Sequence, residues 1–471
     1  MERDRELVRF RGRLVVVGFG SIGQAVLPVL FRELDVTPDR VRIVKTSPDA
    51  SGIAQRLGVE VIATALDEAN HERVLAPLLA PGDFLLNLSL DVSSNALIAL
   101  CRRLGALYLD TCNEPWPGRY DNPALPIAQR SNHALREETL ALRMEHPGGP
   151  TAVVTHGANP GLVSSLLKQA LLEMAAQLGH DWGAPHDRTG WADLARRLEI
   201  RVIHVAERDT QVGRRRQHGE FVNTWSVDGF IDEGVQPAEL GWGTHERHWP
   251  ADAARHAGGS DAAIYLRRPG MGTRVRSWTP RQGAYHGFLV THAESISIAD
   301  SLTLREHGRA VYRPTVHYAY HPCDDAVLSV HELAGRNWAR PALRHIARDD
   351  IASGVDELGL LLMGHPDGVY WYGSTLSIAQ ARDLAPYNNA TTLQVVAGIL
   401  GGMAWALRHP DAGIVEPEQL DWQTVLEAAR PYLGEVCGVW DTWTPLRNRT
   451  PLYDEAMDRG DPWQFVNFRV D

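Results

Sequence analysis

The 471 residues carry a formal net charge of -11, with 44% apolar and 22% charged residues, the composition of a globular chain large enough for two or three domains. The acidic balance argues against nucleic acid, which selects basic surfaces, and suits a cationic small molecule. No apolar run approaches the roughly 20 residues needed to cross a bilayer, and the charged start Met1–Glu6 lacks the apolar core of a secretory signal, so a cytoplasmic protein is expected.

Arg13–Val17 is a short β-branched run that reads as a buried parallel strand. It breaks into Gly18-Phe19-Gly20-Ser21-Ile22-Gly23, and Gln24–Leu27 begins a helical pattern. GxGxxG between a strand and a helix is the dinucleotide fingerprint. Gly18 allows the tight turn, Gly20 lets a pyrophosphate approach the backbone, and Gly23 lets helix and strand pack closely. The phosphates would meet the helix N-terminus at Ser21 and Ile22, where free N–H groups and the helix dipole favour an anion.

Further strands are expected at 41–44, 59–62, 84–88 and 107–110, with a helix over Asn95–Leu104. This rhythm predicts an α/β fold with a Rossmann-type doubly wound parallel sheet. Ligands of such sheets bind beyond the carboxyl ends of the strands. Those ends carry Asn87, Ser89 and Asp91 after the fourth strand, and Thr111, Asn113 and Glu114 after the fifth. Asp91 and Ser93 also suit capping of the next helix. An NAD fingerprint has an acid about 20 residues past the glycines to hold the ribose 2′-OH. Here the second strand ends in Lys45-Thr46-Ser47-Pro48-Asp49, which suits a 2′-phosphate and leans toward NADP.

Pro147–Pro150 is a break, followed by a strand over 151–155 and the polar turn His156-Gly157-Ala158-Asn159-Pro160-Gly161, which suits a site loop. From 200 to about 330, β-like segments at 201–206, 221–227, 287–291 and 315–320 predict a mixed α+β second domain. Asn389–Leu407 reads as a tightly packed buried helix, short of a membrane span. The expected division is a nucleotide domain at 1–155, a second domain at 156–385, and a C-terminal segment at 413–471 that packs on the body.

Four acidic clusters stand out: Glu114-Pro115-Trp116, Glu207-Arg208-Asp209, Asp232-Glu233 and Asp356-Glu357. Asn223-Thr224-Trp225 lies just ahead of Asp232-Glu233 on a strand-like stretch. Carboxylates beside an aromatic face are the physical means of holding an alkylammonium ion. Arg214-Arg215-Arg216 reads as a solvated loop. Cys101, Cys112, Cys323 and Cys437 are too scattered for a disulfide framework, and the run from His317 to Asp325 has metal-like residues without ligand spacing, so no metal is expected.

The chain resembles the bacterial homospermidine synthases, members of the saccharopine-dehydrogenase-like group, nearly end to end. The resemblance rests on the run from Gly18 to Gly23, Gly157-Ala158-Asn159-Pro160-Gly161 and Ala206-Glu207-Arg208-Asp209-Thr210-Gln211. It continues through Phe221–Gly234, Pro237–His245, Thr291-His292, the run from Tyr318 to Cys323, and Tyr370–Gly373. It implies that two putrescine molecules become homospermidine and ammonia through an imine, with hydride taken and returned by bound NAD. It implies a cation–π contact from Trp225, pocket carboxylates at Glu114, Glu207 and Glu233, an active-site Asn159 and His292, a homodimer with substrate binding and dimerisation in 156–385, and a nucleotide domain completed by about 386–412. Lys45 departs from the pattern, since similar sequences carry Asp there. The rival enzyme is a saccharopine or carboxynorspermidine dehydrogenase-type oxidoreductase, which needs basic residues for a substrate carboxylate. A non-catalytic nucleotide or polyamine sensor should have lost Glu207, Glu233 and His292.

Overall fold

Six short strands set the frame of the first of two units in this computed structural model. The structure describes residues 8–450 and 452–470, so the charged start Met1–Glu6 lies outside the described residues. The first unit takes the chain up to Arg119, Leu135–Leu162 and Ala379–Leu433. Its strands are β1 (Leu14–Val17), β2 (Val41–Lys45), β3 (Glu60–Ala63), β4 (Phe84–Asn87), β5 (Leu107–Asp110) and β6 (Gly149–Val153). They pair in parallel in the order β6-β5-β4-β1-β2-β3, and strand Ala412–Val415 adds to the outer edge of β6. Every residue of β1, β4 and β5 is buried, as a parallel sheet covered on both faces requires. The order reverses between β1 and β4, which makes their carboxyl ends the switch point where such sheets bind ligands.

Helix Ala390–Arg408 is the core helix of this unit. Asn389 caps it in a capping box with Thr392. It is long and apolar enough to cross a membrane, which corrects the sequence expectation, yet 89% of its apolar window is buried inside the protein. Its glycines explain how it packs. A Cβ on Gly398 would run into the carbonyl of Gly157, and one on Gly402 would stand 2.8 Å from His156 Nδ1. Bare Cα positions thus let the helix press directly on the turn from His156 to Gly161.

The second unit comprises Tyr120–Ala134, Val163–Ile378 and the chain from Gly434 onward. The first unit thus runs to Leu162 and takes in 379–433, against an expected boundary at 155 and completion by 386–412. Residues 120–134, assigned by sequence to the nucleotide domain, join the second unit, and the expected C-terminal segment is divided at 433. The main sheet of the second unit is mixed. Its central strand, β7 (Val202–Asp209), runs parallel to Thr315–His321 on one side and antiparallel to Val355–Met363 on the other. Pro237–Gly241 lies outside the first neighbour, and Val369–Ser377 and Glu435–Asp441 outside the second.

Strand β8 (Glu220–Asn223) pairs with Leu343–Ile346 in a separate ribbon and stops earlier than the sequence predicted. The cause is a cap. Ser226 Oγ accepts from Gly229 N at 3.0 Å and starts a helix at Val227–Val235. Asp232 and Glu233 therefore sit on a helix, and Trp225 sits in the turn before it.

The glycine packing yields a prediction. Gly398→Ala should destabilise the protein by about 1–3 kcal/mol, because the new methyl meets backbone and not a movable side chain. Alanine is otherwise the better helix former. Gly335→Ala is the control: it ends helix Asp324–Gly335 with open space around its Cα and should leave the melting temperature unchanged or raised. Equal melting curves for both variants would refute the packing argument.

Candidate active site

At the switch point of the first unit, Gly18 takes φ +90°, and a Cβ there would stand 2.6 Å from the carbonyl of Leu88. Gly23 is equally closed, 2.8 Å from Gly18 O. Gly20 is different: no atom lies within 4 Å of where its Cβ would be. The helix that follows, α1 (Ser21–Glu33), has no side-chain cap and no acid in its first turn. Open space over Gly20 and an uncapped helix N-terminus fit a pyrophosphate.

Beyond β4, Asn87 Oδ1 accepts from Ser89 Oγ at 2.6 Å, and Asn87 Nδ2 donates to Tyr108 OH at 3.3 Å. These two predicted cofactor residues therefore brace the loop as well as facing the switch point. Asp91 is exposed with φ +62°, while Ser93 accepts from Ala96 N as the helix cap. Thr111 follows β5, half-buried. Glu114 is buried, and its backbone is tied to Ser94. Asn159 lies in the turn after β6.

Asp110 was passed over as a strand residue, yet it holds that turn. Its carboxylate accepts from Thr155 N at 2.6 Å and Tyr108 OH at 2.7 Å, and its backbone carbonyl accepts from His156 N at 2.7 Å. Burial raises its pKa to about 6, against the pull of those donors. At the end of β2, Lys45 Nζ donates to Pro48 O at 3.3 Å. Asp49 is occupied by Ser51 and Ala54 N, so no side-chain carboxylate stands in the usual place of a ribose-binding acid.

The second unit gathers the other predicted residues. Side chains alternate along strands, so Glu207 and Asp209 share one face of β7, and Tyr318 and Tyr320 share one face of Thr315–His321. Tyr320 pairs in register with Glu207. Tyr318 OH donates to the buried Glu207 carboxylate, and the two tyrosine rings stack at 5.1 Å. Trp225 Nε1 donates to Tyr320 OH at 3.2 Å, with Phe230 5.6 Å from the indole. Trp225 stays partly exposed, so it is not a core packing residue alone. Its turn is pinned by Thr224 Oγ1, which donates to Asp209 Oδ2 at 2.8 Å. Register also sets Asp356 opposite Asp209, joining two of the acidic clusters. Burial and the carboxylates of Glu207, Asp209 and Asp356 push the Tyr320 hydroxyl pKa well up, which marks a strongly negative local potential.

His292 stands 4.4 Å from the Tyr318 ring, at the start of helix Ala293–Ser301. Its Nε2 meets Glu233 Oε2 at 3.2 Å and its Nδ1 meets Glu294 Oε1 at 3.1 Å. The neighbouring Asp232 is engaged elsewhere, by Arg340. Burial alone would lower the His292 pKa, but the Glu294 and Glu233 charges overcome it and raise it to about 10. At neutral pH this imidazole is a cation that braces two carboxylates, and a group already protonated cannot also accept a proton. The site thus unites Glu207, Asp209, Trp225, Glu233 and His292, and adds Tyr318, Tyr320 and Glu294, to which sequence reasoning gave no role. Period-2 alternation within two quoted motifs was the available signal for all but Glu294. Glu114 and Asn159 belong to the first unit.

The raised pKa sets a pH dependence. The folded value of about 10 lies above the reference 6.5. The stabilisation from the His292 cluster is therefore full below 6.5 and is lost as pH rises toward 10. Melting temperature should fall across that window in the wild type, and fall less steeply in His292→Gln. Parallel slopes would show that His292 is not held protonated.

Comparisons with known proteins agree with this geometry. The saccharopine dehydrogenase NADP binding domain matches residues 14–153, and the saccharopine dehydrogenase C-terminal domain matches residues 157–439. A homospermidine synthase of Blastochloris viridis is 51% identical over 98% of both chains. One from Mesorhizobium japonicum is 48% identical over 98% of this chain and 96% of its own. The crystal structure of a homospermidine synthase from Legionella pneumophila in complex with NAD superposes with a TM-score of 0.93, at 49% identity, covering 99% of both chains. The chain belongs to the homospermidine synthase family, built on the saccharopine dehydrogenase scaffold.

Proposed function

We propose that the chain joins two putrescine molecules into homospermidine with release of ammonia, using NAD that is regenerated within each cycle. The observation that carries this reading is the continuous acid–aromatic chain Glu207–Tyr318–Tyr320–Trp225 beside the His292–Glu233 pair. Bound at the Gly18–Gly23 turn, NAD would supply the acceptor for a hydride from the amine-bearing carbon and return it later, so no net redox occurs. Full-length identity with proteins of this activity supports the cofactor, in spite of Lys45.

The chain's own groups then have distinct tasks. The negative potential from Glu207, Asp209 and Asp356, with the open part of Trp225, holds the distal ammonium. Glu233 takes the proton from the reacting amine. His292 remains protonated and holds the Glu233 carboxylate at 3.2 Å. The iminium that forms carries positive charge, which the same carboxylates and indole stabilise. The second amine attacks it and ammonia leaves. Glu114 and Asn159 are the residues the first unit contributes. A cytoplasmic homodimer belongs to the same reading, supported by the family resemblance.

The amino-acid dehydrogenase alternative needs an arginine beside Trp225. Trp225 meets Tyr320 and Phe230, while Arg208 turns to the other face of β7, toward Asp324.

Putrescine and NAD incubated with the purified protein should give homospermidine and ammonia by mass spectrometry, without NADH growing in proportion to product. Linear accumulation of NADH would make the protein an ordinary dehydrogenase. Denaturation should release NAD; recovery of NADP alone would restore the Lys45 reading. Trp225→Phe should lower kcat/KM by about 1 kcal/mol, roughly fivefold, because phenylalanine keeps a weaker aromatic face. Trp225→Ala should lose far more activity at a similar melting temperature. A folded, fully active alanine variant would remove Trp225 from the substrate site.

A further inference from the structure

A second cavity lies within the second unit, on the opposite side of its main sheet from the acid–aromatic site. Consecutive strand residues point to opposite faces. As Glu207 and Tyr320 face the first site, Arg208 and His321 face this one. The cavity has a volume of about 550 Å³ and is lined by Arg208, Arg276, Arg447, Arg449, His286 and His321. No carboxylate side chain lines it. Its size falls within the range of small-molecule sites.

The guanidinium groups are fixed in place by bonds made behind the cavity wall. Arg208 donates to the carbonyls of Asp209 and Pro322 and pairs with Asp324 at 3.0 Å. Arg276 and Arg449 both donate to Asn467 O and share one carboxylate, Glu455. Arg447 meets Asp441 at 3.3 Å. Arg208, Arg276, Arg447 and Arg449 are thus paired with Asp324, Glu455 and Asp441, in a chain whose net charge is -11. Burial, then Arg276 and Arg274, lower the His286 pKa; burial, then Arg208, lower that of His321.

Preset guanidinium forks match phosphate oxygens. Trp443 and Tyr285 add apolar wall to the same cavity. We propose that this cavity binds a phosphate-bearing small anion, separately from the cofactor and diamine sites. The chemistry is shared by free pyrophosphate and by a nucleotide, so both serve as probes.

The test uses the protein loaded with saturating NAD, so that the Gly18–Gly23 turn is filled. Titration calorimetry with inorganic pyrophosphate, and separately with ATP, should show one site per chain. The double variant Arg447→Gln, His286→Gln should bind roughly tenfold or more weakly, from the loss of charge-assisted hydrogen bonds, with its NAD content retained. A response to ATP alone identifies a nucleotide site; a response to pyrophosphate assigns a site for the phosphate groups themselves. Bound anion should also raise the His286 and His321 pKa values in NMR titrations, a shift that a variant merely loosened in structure would not restore. No heat with either probe at millimolar concentration, or equal affinity in the double variant, would overturn the proposal. Neither result bears on homospermidine formation.

Discussion

Burying a carboxylate costs several kcal/mol unless its oxygens are hydrogen-bonded or paired with a cation, and the second unit buries Glu207, Asp209 and Asp356 around one tyrosine. Much of the surrounding structure answers that demand. Tyr318 gives its hydroxyl to Glu207, and Gln211 and Thr224 satisfy Asp209. Those donors fix the stack of tyrosines and the turn that carries Trp225. The cluster keeps a negative potential, with Arg208 turned to the other face of β7, toward Asp324. It is a field suited to a cation that arrives from solution. A diammonium ion supplies the missing charge, so the instability of the acidic cluster and its affinity for substrate have one physical origin.

The His292 group follows the same logic with an internal cation. Two carboxylates converge on one imidazole and hold its proton. If a substrate ammonium enters among those carboxylates, it competes for the charge that holds the His292 proton.

The first unit was legible in the sequence because its signals are local. Each buried parallel strand is a continuous apolar run, and the Gly18–Gly23 turn sits between its expected neighbours. The second unit was less legible. Its site is made by register between strands distant in the chain, and register leaves no local mark. Glu207 and Trp225 were readable as chemistry, but the bond chain that joins them passes through Tyr318 and Tyr320, which look like ordinary strand residues. The strand expected through Val227 ended at Asn223 because one serine hydroxyl was enough to begin a helix. Helix Ala390–Arg408 was anticipated as buried, although only the packing against Gly157 explains why its glycines are where they are.

The pairing of β6 with Ala412–Val415 has a consequence for synthesis of the chain. β6 ends at Val153, and its outer partner begins at Ala412, so more than half of the 471 residues lies between them. While the ribosome makes that stretch, β6 presents an unpaired parallel edge, a template for pairing with another nascent chain. The core helix that supports the turn at Gly157 is also still to come. Completion of the nucleotide fold therefore waits for almost the whole chain.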